Sequence, residues 1–255
     1  MRAAPHLALL ALAACRRDPP VPQQDRSDGA IPSLRAPRVR DDEVTLDGRI
    51  TEPAWRRAGR TLGFVHPGTG APVPGSKVNA EAWVLWTETR LLVAARVWDA
   101  RPVAGFAATE TDPHVWERAT GVELMLQPGD PGDNRDYYEL QVAFGGALWA
   151  TRFDDYNQPI TRDRSGALRF GHQEWSPAVR SAQRAEGGMY EVEFSIPWAD
   201  LAGGRAPTPP RAGDVWRANL YSFRDGQRDA LAWSPLLGEG NFHRARRFGR
   251  ITFSE

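Results

Sequence analysis

One indole stands where polar residues dominate. Trp116 lies in the stretch DPHVWERATGVELML, Asp112 to Leu126, between His114 and the Glu117–Arg118 pair. An aromatic ring in that setting has two uses: to finish a core, or to offer a flat apolar face to a ligand. A pyranose suits the second use, because it has a face of C–H groups and a rim of hydroxyls. Such a ligand wants a ring against its face and Arg, Glu, Asn or Gln around its edge. A second grouping is Asp154 and Asp155, followed by Tyr156 and Asn157. These oxygens are candidate calcium ligands, as are those of the Pro128–Asp136 stretch; the same residue types equally make solvated turns.

Catalytic groupings are missing from the sequence. The chain has no G-x-S-x-G elbow, and its one cysteine is Cys15. The five histidines, His6, His66, His114, His172 and His243, show no metal-binding spacing. Many Asp and Glu are present, but no spacing singles out a pair of the kind that hydrolyses glycosides. The expectation is a binding module and not an enzyme. A different class stays open: a redox module holding haem without a covalent link, with Met125, Met189, His114 or His243 as axial ligands. No C-x-x-C-H attachment is present. A scaffold without ligand is a third reading.

These residues must be positioned by strands. In YEVEFSIPW, Tyr190, Val192, Phe194 and Ile196 alternate with Glu191, Glu193 and Ser195, the period of a half-buried strand. Ala80–Trp86 and Leu91–Trp98, joined by TETR, read as a hairpin. GVELMLQ, DYYELQVAF, ALWATRFDD, DVWRANLYSFR and RFGRITFSE complete the pattern. Only Thr51–Ala58 and Pro197–Gly203 suggest short helices. The predicted fold is all-β: a jelly-roll β-sandwich of antiparallel strands with one or two short helices. Trp83, Trp86 and Trp98 are expected in its core, and Trp149 on an outer strand face.

Acidic and basic residues number 32 each, so the net charge of +0 gives no broad footprint for nucleic acid. The N-terminus has a separate character. Arg2 precedes an apolar run, Leu7 to Ala14, too short to span a bilayer, which reads as a secretory signal over residues 1–14. It ends in LAAC, Leu12 to Cys15, which resembles the lipobox of bacterial lipoproteins and implies a lipid on Cys15. Pro, Gln, Arg and Asp dominate residues 15–38, which reads as a disordered tether. The folded domain is then expected over residues 39–255, on an exported protein anchored to a bacterial membrane.

A series of segments carries a further resemblance: LDGRITEPAWRRA, the AWVLWTETRLLVAARVWD hairpin, HVWERATGVELML, YYELQV, YEVEFSIPWADL, RAGDVWRANLYS and FHRARRFGRITF. In this order they resemble the carbohydrate-binding module family 9 group, across about residues 40–255. The resemblance implies a jelly-roll sandwich that binds glycan ends or small sugars between two aromatic rings, often with calcium supporting the fold. Some members accompany enzymes that degrade polysaccharides, which makes a glycoside hydrolase a candidate partner. By their place in the motifs, Trp116 and Phe242 match the two rings. Glu123 matches a polar residue opening the VE strand, and Gln141 one on the YYELQV strand. Asn241 and His243 flank Phe242 as candidate rim groups. Acidic residues usually precede the VE strand in this group; here Ala119, Thr120 and Gly121 stand there.

Overall fold

The computed structural model describes residues 19–162, 164–224, 229–238 and 240–255. The expected signal over residues 1–14 and Cys15, the expected lipidation site, lie outside the described residues. Among the described residues thirteen strands follow one another: β1 Ser33–Pro37, β2 Ala80–Trp86, β3 Arg90–Val97, β4 Gly121–Gln127, β5 Arg135–Ala143, β6 Leu148–Asp155, β7 Thr161–Arg162, β8 Leu168–Arg169, β9 Arg180–Glu186, β10 Met189–Pro197, β11 Val215–Arg224, β12 Asp229–Ala232 and β13 Gly249–Ser254.

Two sheets stack. The larger has the order β1-β13-β11-β4-β5-β6, with β12 also on β11; the smaller is β2-β3-β10-β9. Pairing is antiparallel except for β1 beside β13. Val122, Leu124 and Leu126 of β4, Tyr138, Leu140 and Val142 of β5, and Trp216, Ala218 and Leu220 of β11 face the smaller sheet. They meet Val84, Val93, Val192 and Phe194 in one buried core. Trp198, Trp216 and Phe253 pack edge to face within it. Trp83 and Trp86 are buried as expected, whereas Trp98 follows β3 and is half-buried.

The LDGRITEPAW segment seals the outside of the smaller sheet. The backbone N–H groups of Asp47 and Gly48 donate to Glu193 Oε2, and the Trp55 indole donates to Glu193 Oε1 at 2.8 Å. Gly48 holds a positive φ, and a Cβ there would stand 2.6 Å from the Gln183 carbonyl carbon. Glu193 is one of the polar residues of the YEVEFSIPW alternation, so its strand parity places it on this outer face.

Two expectations change. Thr51–Ala58 is a run of three-residue turns, not a helix, and Pro197–Gly203 holds only a 3₁₀ turn, Trp198–Leu201. The folded domain also begins well before residue 39. Leu34 and Ala36 of β1 enter the core. Val21 is buried, and its carbonyl accepts from Asn79 Nδ2 at 2.8 Å. The Gln23 side chain accepts from the Val73 N–H. So the described part of the expected tether lies on the domain. Its Pro-rich composition fits an edge strand, where one side of the backbone needs no sheet partner.

Candidate functional site

Strand parity builds the site. Residues of β4, β5 and β6 that do not face the core point to the opposite face of the larger sheet. Register then sets them in rows: Glu123 beside Gln141 beside Trp149, and Met125 beside Glu139 beside Thr151. These six form the floor of a cavity of about 410 Å³, within the range of roughly 300–1,000 Å³ usual for small-molecule sites. Trp149 was expected on an outer strand face, and that face is the cavity wall.

Loops supply the rest of the walls. Trp116 comes from a 3₁₀ turn, Val115–Glu117, just before β4. One face of its ring stacks on His114 at 4.5 Å, and it meets Trp149 edge to face at 5.2 Å. On the other side Phe242 lies flat on Tyr221, with ring centres 4.0 Å apart. Tyr221 is the β11 residue opposite Glu123. Asn241 Nδ2 donates to the Tyr156 hydroxyl at 2.7 Å, and the His243 ring stacks on Tyr156 at 3.8 Å. The β7–β8 hairpin brings Leu168, Arg169 and Phe170 to the rim. Gly171 lets that segment close on the floor: a Cβ there would stand 2.2 Å from Thr151 Cγ2.

The structure thus brings Trp116, Phe242, Glu123, Gln141, Asn241 and His243 around one cavity. Their duties differ. His243 Nδ1 is 2.6 Å from the Tyr137 hydroxyl, and Nε2 lies 3.5 Å from Glu139 Oε2. Burial pushes its imidazole down to about 3, so it is neutral, and both nitrogens face protein groups. It positions Tyr156 and Tyr137 more than it reaches into the cavity.

The floor is acidic and dry. Gln141 Nε2 donates to Glu123 Oε2 and to Glu139 Oε1, each at 3.0 Å. Glu123 and Glu139 are buried, at 0% and 4% exposure. Burial pushes the Glu139 carboxyl up to about 8 and that of Glu123 well above its ordinary value, with the neighbouring Glu139 adding to the Glu123 shift. Four buried polar atoms here have no hydrogen-bond partner: Glu123 Oε1, Glu139 Oε2 (3.5 Å from His243 Nε2), Gln141 Oε1 and Thr151 Oγ1. Such groups cost free energy unless something hydrogen-bonds to them.

Sequence reasoning missed Glu139, Thr151, Tyr156 and Phe170. Glu139 shares the parity of Gln141, and Thr151 that of Trp149, so that signal was available. The β7–β8 hairpin had none, since its apolar residues do not alternate.

Asp154 and Asp155 do not make a calcium site together. Adjacent strand residues face opposite ways, and each carboxylate already has partners. Asp154 pairs with Arg152 at 3.0 Å and His172 at 2.8 Å, and Asp155 with Arg135 at 2.9 Å. The loop at residues 128–136 is likewise tied to arginine: Asp130 to Arg217, Asp133 to Arg205. Among the described residues no group of three or more His, Cys, Asp or Glu converges on a metal position. Ala119, Thr120 and Gly121 have structural roles. Ala119 is buried beside Val115 and Trp149, Thr120 Oγ1 accepts from the Val103 N–H, and Gly121 makes room for Phe223.

An all-β sandwich with an aromatic-walled polar cavity on one sheet face defines a binding module for a small ligand with apolar faces and a polar rim. The chain belongs to the carbohydrate family 9 binding domain-like family, whose model matches residues 46–255. Among solved structures it resembles a proposed carbohydrate-binding protein from Bacteroides uniformis, with TM-score 0.63 and 20% identity over 88% of this chain and 100% of that one. It also resembles a family 9 module from Caldicellulosiruptor kristjanssonii in complex with cellotriose, with TM-score 0.55 and 17% identity over 86% and 93% of the two chains. A glucose complex of a family 9 module from the same organism gives TM-score 0.51 at 15% identity, over 85% and 95%. No curated protein sequence matches the chain significantly.

Proposed function

We propose that the chain binds the end of a glycan or a small sugar in this cavity without transforming it. The observation that carries the reading is the floor: four buried polar atoms without partners, enclosed by the rings of Trp116, Trp149, Tyr156 and Phe242. A sugar laid against a ring would present its hydroxyls to those atoms. The haem alternative gains no support. Met125 lines the cavity, but Met189 begins β10 in the other sheet, and both His243 nitrogens face protein groups.

The finer reading is a lipid-anchored module that holds glycan for a neighbouring glycoside hydrolase. Its support is the LAAC sequence before a chain that docks from Val21 onward.

A glycan array followed by calorimetry tests the binding. A sugar that binds the parent chain should bind Trp116→Ala at least tenfold more weakly, about 1.4 kcal/mol. Equal binding would remove the site assignment, and no binding across the array would remove the function. Membrane fractionation of Cys15→Ser tests the anchor: the variant should become soluble after export.

A further inference from the structure

With its acids ionised, the floor is rich in acceptors and poor in donors. Both N–H bonds of the Gln141 amide are spent, one on each carboxyl. The unpartnered atoms are three acceptor oxygens, on Glu123, Glu139 and Gln141, and one hydroxyl, on Thr151. A neutral sugar hydroxyl donates once, and its own lone pairs also need donors, which the ionised floor scarcely offers. A primary ammonium has the opposite demand: three N–H donors and no acceptor.

Charge points the same way. Among the described residues, the charged or titratable side chains lining the cavity are Glu123, Glu139, Tyr156, His243 and Arg169. His243 is neutral, and Arg169 is an exposed rim residue whose Nη1 donates to Gln173 Oε1 at 2.6 Å. The two buried acids therefore face each other across Gln141 with no cation between them. The walls are the rings of Trp116, Trp149, Tyr156 and Phe242, apolar surfaces on which a sugar ring can lie.

We propose that the cavity selects an amino sugar, with a primary ammonium seated on Glu123 Oε1, Glu139 Oε2 and Gln141 Oε1 and the pyranose ring against the aromatic walls. This rests on the sugar-binding reading and adds the class of sugar. Because burial favours the protonated form of both acids, the free pair is uncharged at pH 6. The incoming ammonium displaces one of its two protons to solvent, so one carboxylate balances the one cation.

Calorimetry of the purified chain with glucosamine, glucose and N-acetylglucosamine at pH 6 tests the inference; a primary amine is protonated there. Glucosamine should bind at least tenfold more tightly than the other two. Its binding should release about one proton, read as a difference in heat between two buffers of unlike ionisation enthalpy. Glu139→Gln and Glu123→Gln should each erase the preference, with near-ultraviolet dichroism reporting that the fold persists. Similar affinities for glucosamine and glucose, lost together in Trp116→Ala, would overturn the amine inference and leave sugar binding standing. Failure of all three sugars would also overturn it, and failure across the array would take the sugar reading with it.

Discussion

Glu139→Gln isolates the cost of an ionised carboxylate beneath the cavity. Glu139 is 4% exposed, and burial moves its carboxyl from 4.5 to about 8. Between those values the folded protein keeps a proton that the unfolded chain has released. Stability therefore falls as pH rises through that window. From pH 6.5 to 8 the fall is about 2 kcal/mol, at roughly 1.4 kcal/mol per pH unit. For a chain of this size that lowers the melting temperature by about 4–8 °C. Other groups must be separated. Glu193, pushed up to about 7 chiefly by burial, and Glu123, pushed up further, act in the same direction. His243, pushed down to about 3, acts oppositely: its contribution is lost as pH falls from 6.5 and is complete above it. Calorimetric melts of the parent, Glu139→Gln and Glu193→Gln at pH 6.5 and 8 resolve the terms. Glutamine keeps an acceptor for Gln141 Nε2 and cannot ionise, so Glu139→Gln should lose about 2 kcal/mol of the parent's fall and keep the share due to Glu193 and Glu123. A parent melting temperature that does not fall, or a Glu139→Gln slope equal to the parent's, would refute the reasoning.

Two further substitutions test the parts that hold the cavity. Gly171→Ala places a Cβ against Thr151 and Phe153, which should push the rim off the floor and weaken ligand binding at least tenfold. The expected stability loss is about 1–3 kcal/mol by overpacking, and unchanged affinity would show that the rim is dispensable. Glu193→Ala strands the Trp55 indole and the Asp47 and Gly48 N–H groups. It should cost about 3 kcal/mol in chemical denaturation, with Glu193→Gln recovering part; a loss below about 1 kcal/mol would discount the Glu193 clasp.

Strand parity made much of this fold legible. Where apolar residues alternate, as in Tyr190-Val192-Phe194-Ile196, the expected strand formed and its polar partners took the other face. The same rule explains why Glu123 and Gln141 lie side by side. Strands without an apolar face were invisible. Arg180–Glu186 is an edge strand with mostly exposed residues, and nothing in RSAQRAE signals burial. Ser33–Pro37 buries only small or isolated apolar groups, so its composition reads as tether. The Asp154–Asp155 expectation failed for a different reason. Sequence shows carboxylates but not the arginines that meet them, because Arg135 arrives from the neighbouring strand.

Floor and walls of the cavity have different mechanical origins, and that divides their effects on binding. Glu123, Glu139, Gln141 and Thr151 stand on strands whose other faces carry Val122, Leu124, Leu140, Val142 and Ala150 into or against the core. Moving a floor atom means moving a packed sheet, so these groups are set before any ligand arrives and lose little entropy on binding. Trp116, Asn241 and Phe242 stand on loops, steadied chiefly by ring stacking and single hydrogen bonds. Truncating a wall ring should weaken every ligand by a similar factor, because ring faces are indifferent to the substituents of a sugar. Altering a floor carboxyl should change which ligand is preferred, since those oxygens alone distinguish an ammonium from a hydroxyl. Comparing the ratio of glucosamine to glucose affinity in Trp116→Ala and in Glu139→Gln separates the two effects: the ratio should survive the first substitution and collapse in the second.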